Sequence, residues 1–313
     1  MRVFVTGASG HIGSAVVPEL LEGGHQVVGL ARSEDSATAL TAAGAEVLRG
    51  DLDDLDRLSE AAAGADGVIH LAFKHESMRS GDFAGAIAAD LLAIETIGAT
   101  LEGSEKPFVS TSGTMLLAFG GLTGRPGTEQ DVMDGGLRID AENTVVALAE
   151  RGVRSSAVRL PPLVHSTLDH TGFGPTLIGI AREKGVSGYV GDGSNRWPAV
   201  HTLDAARVYR LALENAAAGS RLHAVADEGV PFRDIAEVIA RKLGVASASI
   251  AAEDAGEHFS FLAPFVGLDN PTSSELTRRL LAWEPSHPGL IEDLADGHYF
   301  QRSDVPGAAI GAS

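Results

Sequence analysis

Thr6-Gly7-Ala8-Ser9-Gly10-His11-Ile12-Gly13 stands directly behind a short β-branched run, Arg2–Val5, and directly ahead of a helical pattern from Ser14 to Glu22. Its glycines fall as GxxGxxG. One glycine permits a tight turn, a second lets the backbone approach a diphosphate, and a third allows close helix–strand contact, while the helix N-terminus faces the anion. A glycine triplet alone says little. Between a strand and a helix it reads as a dinucleotide-binding turn, engaging Gly7, Ser9, Gly10, His11, Ile12 and Gly13.

The rhythm continues outward. Strands are predicted at Arg2–Val5, Gln26–Ala31, Glu46–Arg49, Gly67–Ala72, Pro107–Thr111 and Arg154–Arg159, with Ala/Leu-rich helical stretches between them. These helices stop at Gly23-Gly24, Gly44 and Gly64, where glycine accepts the left-handed conformation that closes a helix. A further helix is predicted over Arg138–Arg151, with Ala141, Val145, Leu148 and Ala149 on one face and Gly152 after it. The pattern predicts an α/β fold, a Rossmann-type doubly wound parallel sheet with a smaller C-terminal lobe. Residues 1–164 form the dinucleotide-binding domain and 165–300 mainly a substrate lobe with segments returning to the sheet. Residues 301–313, rich in Gly, Ala and Ser, form a flexible tail. In the second half the sequence predicts helices Asp204–Glu214 and Pro231–Leu243, a strand near Arg221–Val225, and a turn at Gly191-Asp192-Gly193-Ser194-Asn195.

Composition narrows the function. Of 313 residues 44 % are hydrophobic and 21 % charged, enough apolar material for a sizeable core. Lysine and arginine number 24 against 42 acids, and a net charge of −18 repels phosphate backbones, so no nucleic-acid partner is expected. Without cysteine there is no disulfide, thiolate catalysis or thiolate-bound metal. No HExxH or comparable spacing among the eleven histidines points to a metal. No apolar run approaches the ~18–20 residues that span a bilayer. The N-terminus reaches glycine too soon for a signal peptide, so a cytoplasmic location without membrane association is expected.

Nineteen residues beyond Gly13 stands Arg32, followed by Ser33. A carboxylate there would hold a ribose 2′-hydroxyl; an arginine with a neighbouring hydroxyl suits a 2′-phosphate, which favours NADP(H) over NAD, unless Arg32 is only a solvated strand end. Asp51-Leu52 follows the third strand, and two readings stand for Asp51: a contact to the adenine amino group, or the N-cap of the next helix. His70 reads as a satisfied core histidine, and Leu71-Ala72 ends the fourth strand beside the cofactor.

These residues resemble the short-chain dehydrogenase/reductase superfamily in its extended, epimerase/dehydratase-like branch. The resemblance rests on Thr6–Gly13, Gly50–Leu52, Val68–Ala72, Phe108–Thr114, Val158–His165 and Trp197–Ala206, in the expected order over roughly 200 residues. It implies that Ser112 occupies the place of the catalytic serine, that Pro161 and Leu163 border the cofactor, and that the protein dimerises through helices flanking the sheet. It also implies a Tyr-x-x-x-Lys pair on one face of the following helix. The sequence departs from that pattern: its tyrosines are Tyr189, Tyr209 and Tyr299, none followed four residues later by lysine. With Glu142 as anchor the two positions fall at Asp134 and Arg138, and sliding by one gives Met133/Leu137 or Gly135/Ile139. The chain therefore resembles an atypical member of the superfamily.

A replacement proton donor is needed, because hydride delivery to a carbonyl leaves an alkoxide and serine is too weak an acid to work alone. His75 is the first candidate, against the plainer reading of a solvated loop histidine, and Lys74 is a weaker one. Arg138 would replace the lysine electrostatically, or form an i, i+4 pair with Glu142; it cannot act as an acid. Asp134 reads as a residue at the start of the helix. Over the nicotinamide, Thr114, His165, His170, Phe173, Tyr189 and Trp197 would line a pocket, each with a packing role as the alternative. Two functions follow: an NADP(H)-dependent reductase of a ketone or aldehyde on a small to medium apolar molecule, or a non-catalytic sensor of the NADPH/NADP state. A nucleotide-sugar epimerase or dehydratase fits poorly, since it needs NAD and the tyrosine base.

Overall fold

Alternation along β1 (Arg2–Thr6) sets the layers: Val3 and Val5 enter one core, Phe4 the other. The computed structural model describes residues 1–136 and 138–301, with the side chain of Arg79 left aside; Leu137 and all of the expected tail beyond Gln301 lie outside the described residues.

After β1 the chain runs α1 (Gly13–Glu22), β2 (Gln26–Ala31), α2 (Glu34–Ala42), β3 (Glu46–Arg49), α3 (Leu55–Ala63), β4 (Gly67–His70), α4 (His75–Arg79) and α5 (Phe83–Leu101). It continues with β5 (Pro107–Gly113), α6 (Met115–Phe119), α7 (Ile139–Ala147) and β6 (Arg154–Leu160). Next come β7 (Leu163–His165), α8 (Phe173–Lys184), β8 (Val186–Val190), β9 (Arg196–His201), α9 (Thr202–Asn215), β10 (Ser220–His223), β11 (Asp227–Pro231), α10 (Phe232–Leu243) and β12 (Ala246–Ile250). Short helices α11 (Ala255–Phe259), α12 (Ala263–Val266), α13 (Glu275–Leu281) and α14 (Leu290–Asp296) complete the described chain.

Seven strands form one parallel sheet in the order β10-β6-β5-β4-β1-β2-β3. Helices α1, α2 and α9 cover one face, and α3, α5 and α7 the other. The chain leaves β1 toward β2 and later returns on its other side to β4. Such a reversal opens a crevice at the carboxyl ends of the strands, and it places the glycine turn beside the residues that follow β4 and β5.

Two expectations need correction. The helix predicted over Arg138–Arg151 is α-helical only to Ala147; Leu148–Arg151 tightens into a 3₁₀ turn, which Gly152 closes at φ 70°. Helix α5, nineteen residues long, is apolar enough by length and composition to cross a bilayer, contrary to the sequence reading. Here it packs between α3 and α7, burying Ala86, Ala93, Ile94, Ile97 and Leu101, and it carries a buried carboxylate, Asp90.

Beyond β6 the chain divides. Strand β10 pairs with β6, and α9 packs against α1, both within the layers of the main sheet. The lobe has its own core, built on a three-stranded sheet (β11-β9-β7), a two-stranded one (β12-β8) and helices α8, α10 and α14.

Candidate cofactor and active site

The glycine turn is closed to other residues at two of its three glycines. Gly7 has φ +66°, and a Cβ there would lie 2.7 Å from the Ala72 nitrogen and 2.8 Å from the Leu71 carbonyl carbon. At Gly13 a Cβ would lie 2.2 Å from the Gly7 carbonyl oxygen and 2.6 Å from Ala8 backbone atoms, whereas at Gly10 its nearest neighbour is 3.3 Å away. The first and third glycines thus let three backbone segments meet at the start of α1, leaving Ser9 and Gly10 exposed and His11 and Ile12 half-buried. A backbone-lined cradle at a helix N-terminus fits a dinucleotide diphosphate.

At the outer end of the crevice Arg32 is exposed just past β2, its Nη2 3.0 Å from Glu76 Oε1. Ser33 caps α2, accepting from the Ser36 amide. Asp51 accepts from the Asp53 amide at 2.8 Å, and the residue at the N-cap of α3 is Asp54, which corrects the N-cap reading of Asp51. The Leu52 side chain is buried in the core beneath α3, leaving only its backbone to face the crevice. Lys74 gives its amine to both oxygens of Asp53 at 2.6 Å, and so belongs to this outer rim rather than to the reacting end.

At the inner end two buried carboxylates organise the strand ends. Asp90 accepts from Arg138 Nε at 3.3 Å and lies 3.2 Å from His70 Nε2, whose Nδ1 lies 2.8 Å from the Thr6 hydroxyl. Burial works to raise the Asp90 pKa, but Arg138 and His70 outweigh it and hold the group below its ordinary value. Arg138 also donates to the Thr111 carbonyl at 3.2 Å and lies 4.2 Å over the Phe73 ring. Its carboxylate partner is Asp90, not Glu142, because Glu142 points the other way. Glu142 accepts from the Ser112 hydroxyl at 2.5 Å, from Arg159 at 2.5 and 2.8 Å and from Arg221 at 2.8 Å. Here too burial works upward and is outweighed, by Arg159, Ser112 and Arg221, so Glu142 is held ionised. The Ser112 proton is therefore engaged by Glu142. His75 is exposed at the start of α4, its ring edge-on to Phe73 at 5.2 Å.

Residues 7–156 match a family model described as NAD(P)H-binding. An uncharacterized protein of Schizosaccharomyces pombe is 48 % identical over 96 % of this chain and 100 % of its own length. A 2-alkyl-3-oxoalkanoate reductase of Stenotrophomonas maltophilia is 29 % identical over 78 % of this chain and 76 % of its own. Among solved structures, the dTDP-glucose 4,6-dehydratase of Streptomyces venezuelae with NAD bound superposes with a TM-score of 0.75 at 19 % identity, over 95 % of this chain and 96 % of that one. The chain belongs to one family with the Schizosaccharomyces pombe protein, and it shares the fold of the extended short-chain dehydrogenase/reductases. The span that matches the NAD(P)H-binding model contains the glycine turn and the strand ends that border the crevice.

Within this fold the hydroxyls of the three tyrosines bond to groups other than Ser112 and Glu142. Tyr209 is fully buried with its hydroxyl 2.9 Å from Thr111 Oγ1, and burial pushes its pKa up. Tyr189 belongs to the lobe core, and Tyr299 donates to Asp169. Several predicted pocket residues turn out to be structural. Trp197 is fully buried against Phe173 and Phe232. Thr114 is buried and accepts from Asn270. Pro161 and Leu163 are buried, and so is His165, whose Nδ1 lies 2.9 Å from Asp293. Phe173 stays half-buried and meets Phe265 at 5.4 Å, which in turn meets the exposed Phe119 at 5.5 Å. The sequence reading missed Phe119, Phe265, Asn270 and Asp90. An acid in the apolar stretch of α5, where Glu95 is the one other charge, was the available signal for Asp90.

His11 reaches from the glycine turn to the lobe junction, its Nε2 2.9 Å from Thr202 Oγ1. Burial, with His170 and His165 adding to it, lowers its pKa to about 4. Burial together with His165 and His287 lowers His201 to about 4, while burial raises Asp169 to about 6. The histidines stabilise the fold above their unfolded value of 6.5 and lose that contribution as pH falls toward 4; Asp169 works in the opposite sense between about 4 and 6. With two histidines against one acid, the melting temperature should fall on acidification from pH 7 to 4.5, and fall less in His11→Phe. Equal falls in both proteins would contradict the linkage.

Proposed function

We propose that the protein is an NADP(H)-dependent oxidoreductase that reduces the ketone or aldehyde of a small to medium apolar molecule. The observation that supports this best is a fixed cation at the crevice's inner end: Arg138, held on the Thr111 carbonyl one residue before Ser112 at the end of β5. The half-buried Phe73, Phe173 and Phe265 supply apolar surface nearby. The Stenotrophomonas relative is named for the reduction of an oxo group, the reaction that such a crevice suits.

The reduced nicotinamide, when bound, supplies the hydride. Arg138 places its charge where the substrate oxygen becomes negative, and it cannot give up a proton. His75, on the solvent side of Phe73, returns the proton to the alkoxide. Ser112 meets the substrate as an acceptor, or exchanges its bond to Glu142 for one to the substrate oxygen. Cofactor choice rests on Arg32, a cation where a carboxylate would hold a 2′-hydroxyl.

A non-catalytic NADP(H)-sensing role is the second reading, favoured by the occupied proton of Ser112. NADPH consumption against a panel of ketones and aldehydes separates the two. Turnover is expected, with kcat in Arg138→Lys lower by about tenfold to a hundredfold while NADPH affinity stays within about threefold. Tight NADPH binding without turnover of any carbonyl would leave the sensing role.

A further inference from the structure

We infer that Glu76 is a built-in competitor for the 2′-phosphate site and sets how strongly the chain discriminates NADP(H) from NAD(H). This rests on the reading of Arg32 as the residue that meets the phosphate.

Glu76 comes from α4, on the β4 side of the crevice, and reaches the guanidinium at the end of β2. The turn that carries it is pinned at two residues just ahead of Glu76. Lys74 is clasped by both oxygens of Asp53, and the Phe73 ring lies against Arg138. The carboxylate is thus delivered to Arg32 by a fixed backbone. Arg49 is the next cation along this edge, since the β2–β3 register sets it opposite Ala31. It is already engaged, donating to the Ser33 carbonyl at 2.6 Å and pairing with Glu34.

Arg32 and Glu76 are 65 % and 73 % exposed, so their ion pair is worth little and opens readily. A dinucleotide carrying the 2′-phosphate must displace Glu76 from the guanidinium, and the displaced carboxylate then faces a second anion across a few ångströms of solvent. That repulsion is strong at low salt and screened at high salt. A dinucleotide with a free 2′-hydroxyl does not call on Arg32 and meets neither cost. Arg32 widens the preference for the phosphorylated cofactor, and Glu76 narrows it.

The test titrates NADPH and NADH, followed by the fluorescence of the reduced nicotinamide, into the full chain at low and at physiological salt. The proteins are wild type, Glu76→Gln, Arg32→Ala and the double variant. Glu46→Gln is the control; Glu46 pairs with Arg2 at the opposite ends of the strands. Glu76→Gln should tighten NADPH about three- to fivefold at low salt, with NADH changed less than about twofold. The gain should shrink with added salt and again in the Arg32→Ala background, and Glu46→Gln should show none. Unchanged NADPH affinity in Glu76→Gln, with Arg32→Ala still weakening NADPH selectively, would overturn the role of Glu76 alone. An equal gain with and without Arg32 would also overturn it, since the effect would then be charge removal rather than competition. Equal weakening of both dinucleotides in Arg32→Ala would overturn the reading of Arg32 itself.

Discussion

Replacing Gly13 by alanine should abolish dinucleotide binding, weakening it at least about a hundredfold, and destabilise the fold by about 3 kcal/mol, as overpacking of rigid surroundings does. The added carbon would sit 2.2 Å from the Gly7 carbonyl oxygen and 2.6 Å from Ala8 backbone atoms. No side chain is there to swing away, so the strand–turn–helix unit has to open, and with it the amide cradle. Gly10→Ala is the matched comparison. Its Cβ would meet only the Gly7 oxygen, at 3.3 Å. That variant should keep its fold and lose no more than a few-fold in affinity. Thermal melts and NADPH titrations of the two proteins check this, and similar behaviour of both variants would count against the close-packed turn.

Glu142→Gln should cost about 3–5 kcal/mol, because it leaves guanidinium charge buried without its partner. Arg159 and Arg221 both converge on this carboxylate, and Arg159 is almost fully buried. The sign of the pH dependence follows from the lowered pKa. The contribution is complete above the ordinary glutamate value and is lost as pH falls through the depressed one. Denaturant unfolding at neutral pH measures the loss, and a change below about 1 kcal/mol would mean that the two arginines find other partners. The glutamine can still accept from Ser112, so the position of that serine is disturbed less than the stability.

Sequence reasoning succeeded where contacts are local. Strands β1, β2 and β4 are short runs rich in valine and isoleucine, and β1 pairs with both of the others. The glycine turn was legible for the same reason, since it is a property of eight consecutive residues. Glu142 was not. Its helix offers Arg138 at i−4, but its true partners lie 17 and 79 residues along the chain. Arg159 was the missed signal, a charge between Val158 and Leu160 in β6. The lobe was harder still. Strand β7 has three residues behind a Pro-Pro pair, and β8 pairs with β12 some sixty residues later. Trp197 and Tyr189, read as pocket-lining residues, fill the core that those short strands alone could not. The inner end of the crevice was partly legible: Ser112 and Arg138 were picked out, while the acids that orient them, Glu142 and Asp90, were assigned a different partner or missed.

Calorimetric titration of the purified chain with NADPH and, separately, NADH tests most directly whether the crevice is built for the phosphorylated dinucleotide. One NADPH should bind per chain, about tenfold or more tighter than NADH, as a charge-assisted contact to the 2′-phosphate requires. Binding of neither dinucleotide, or tighter binding of NADH, would contradict it.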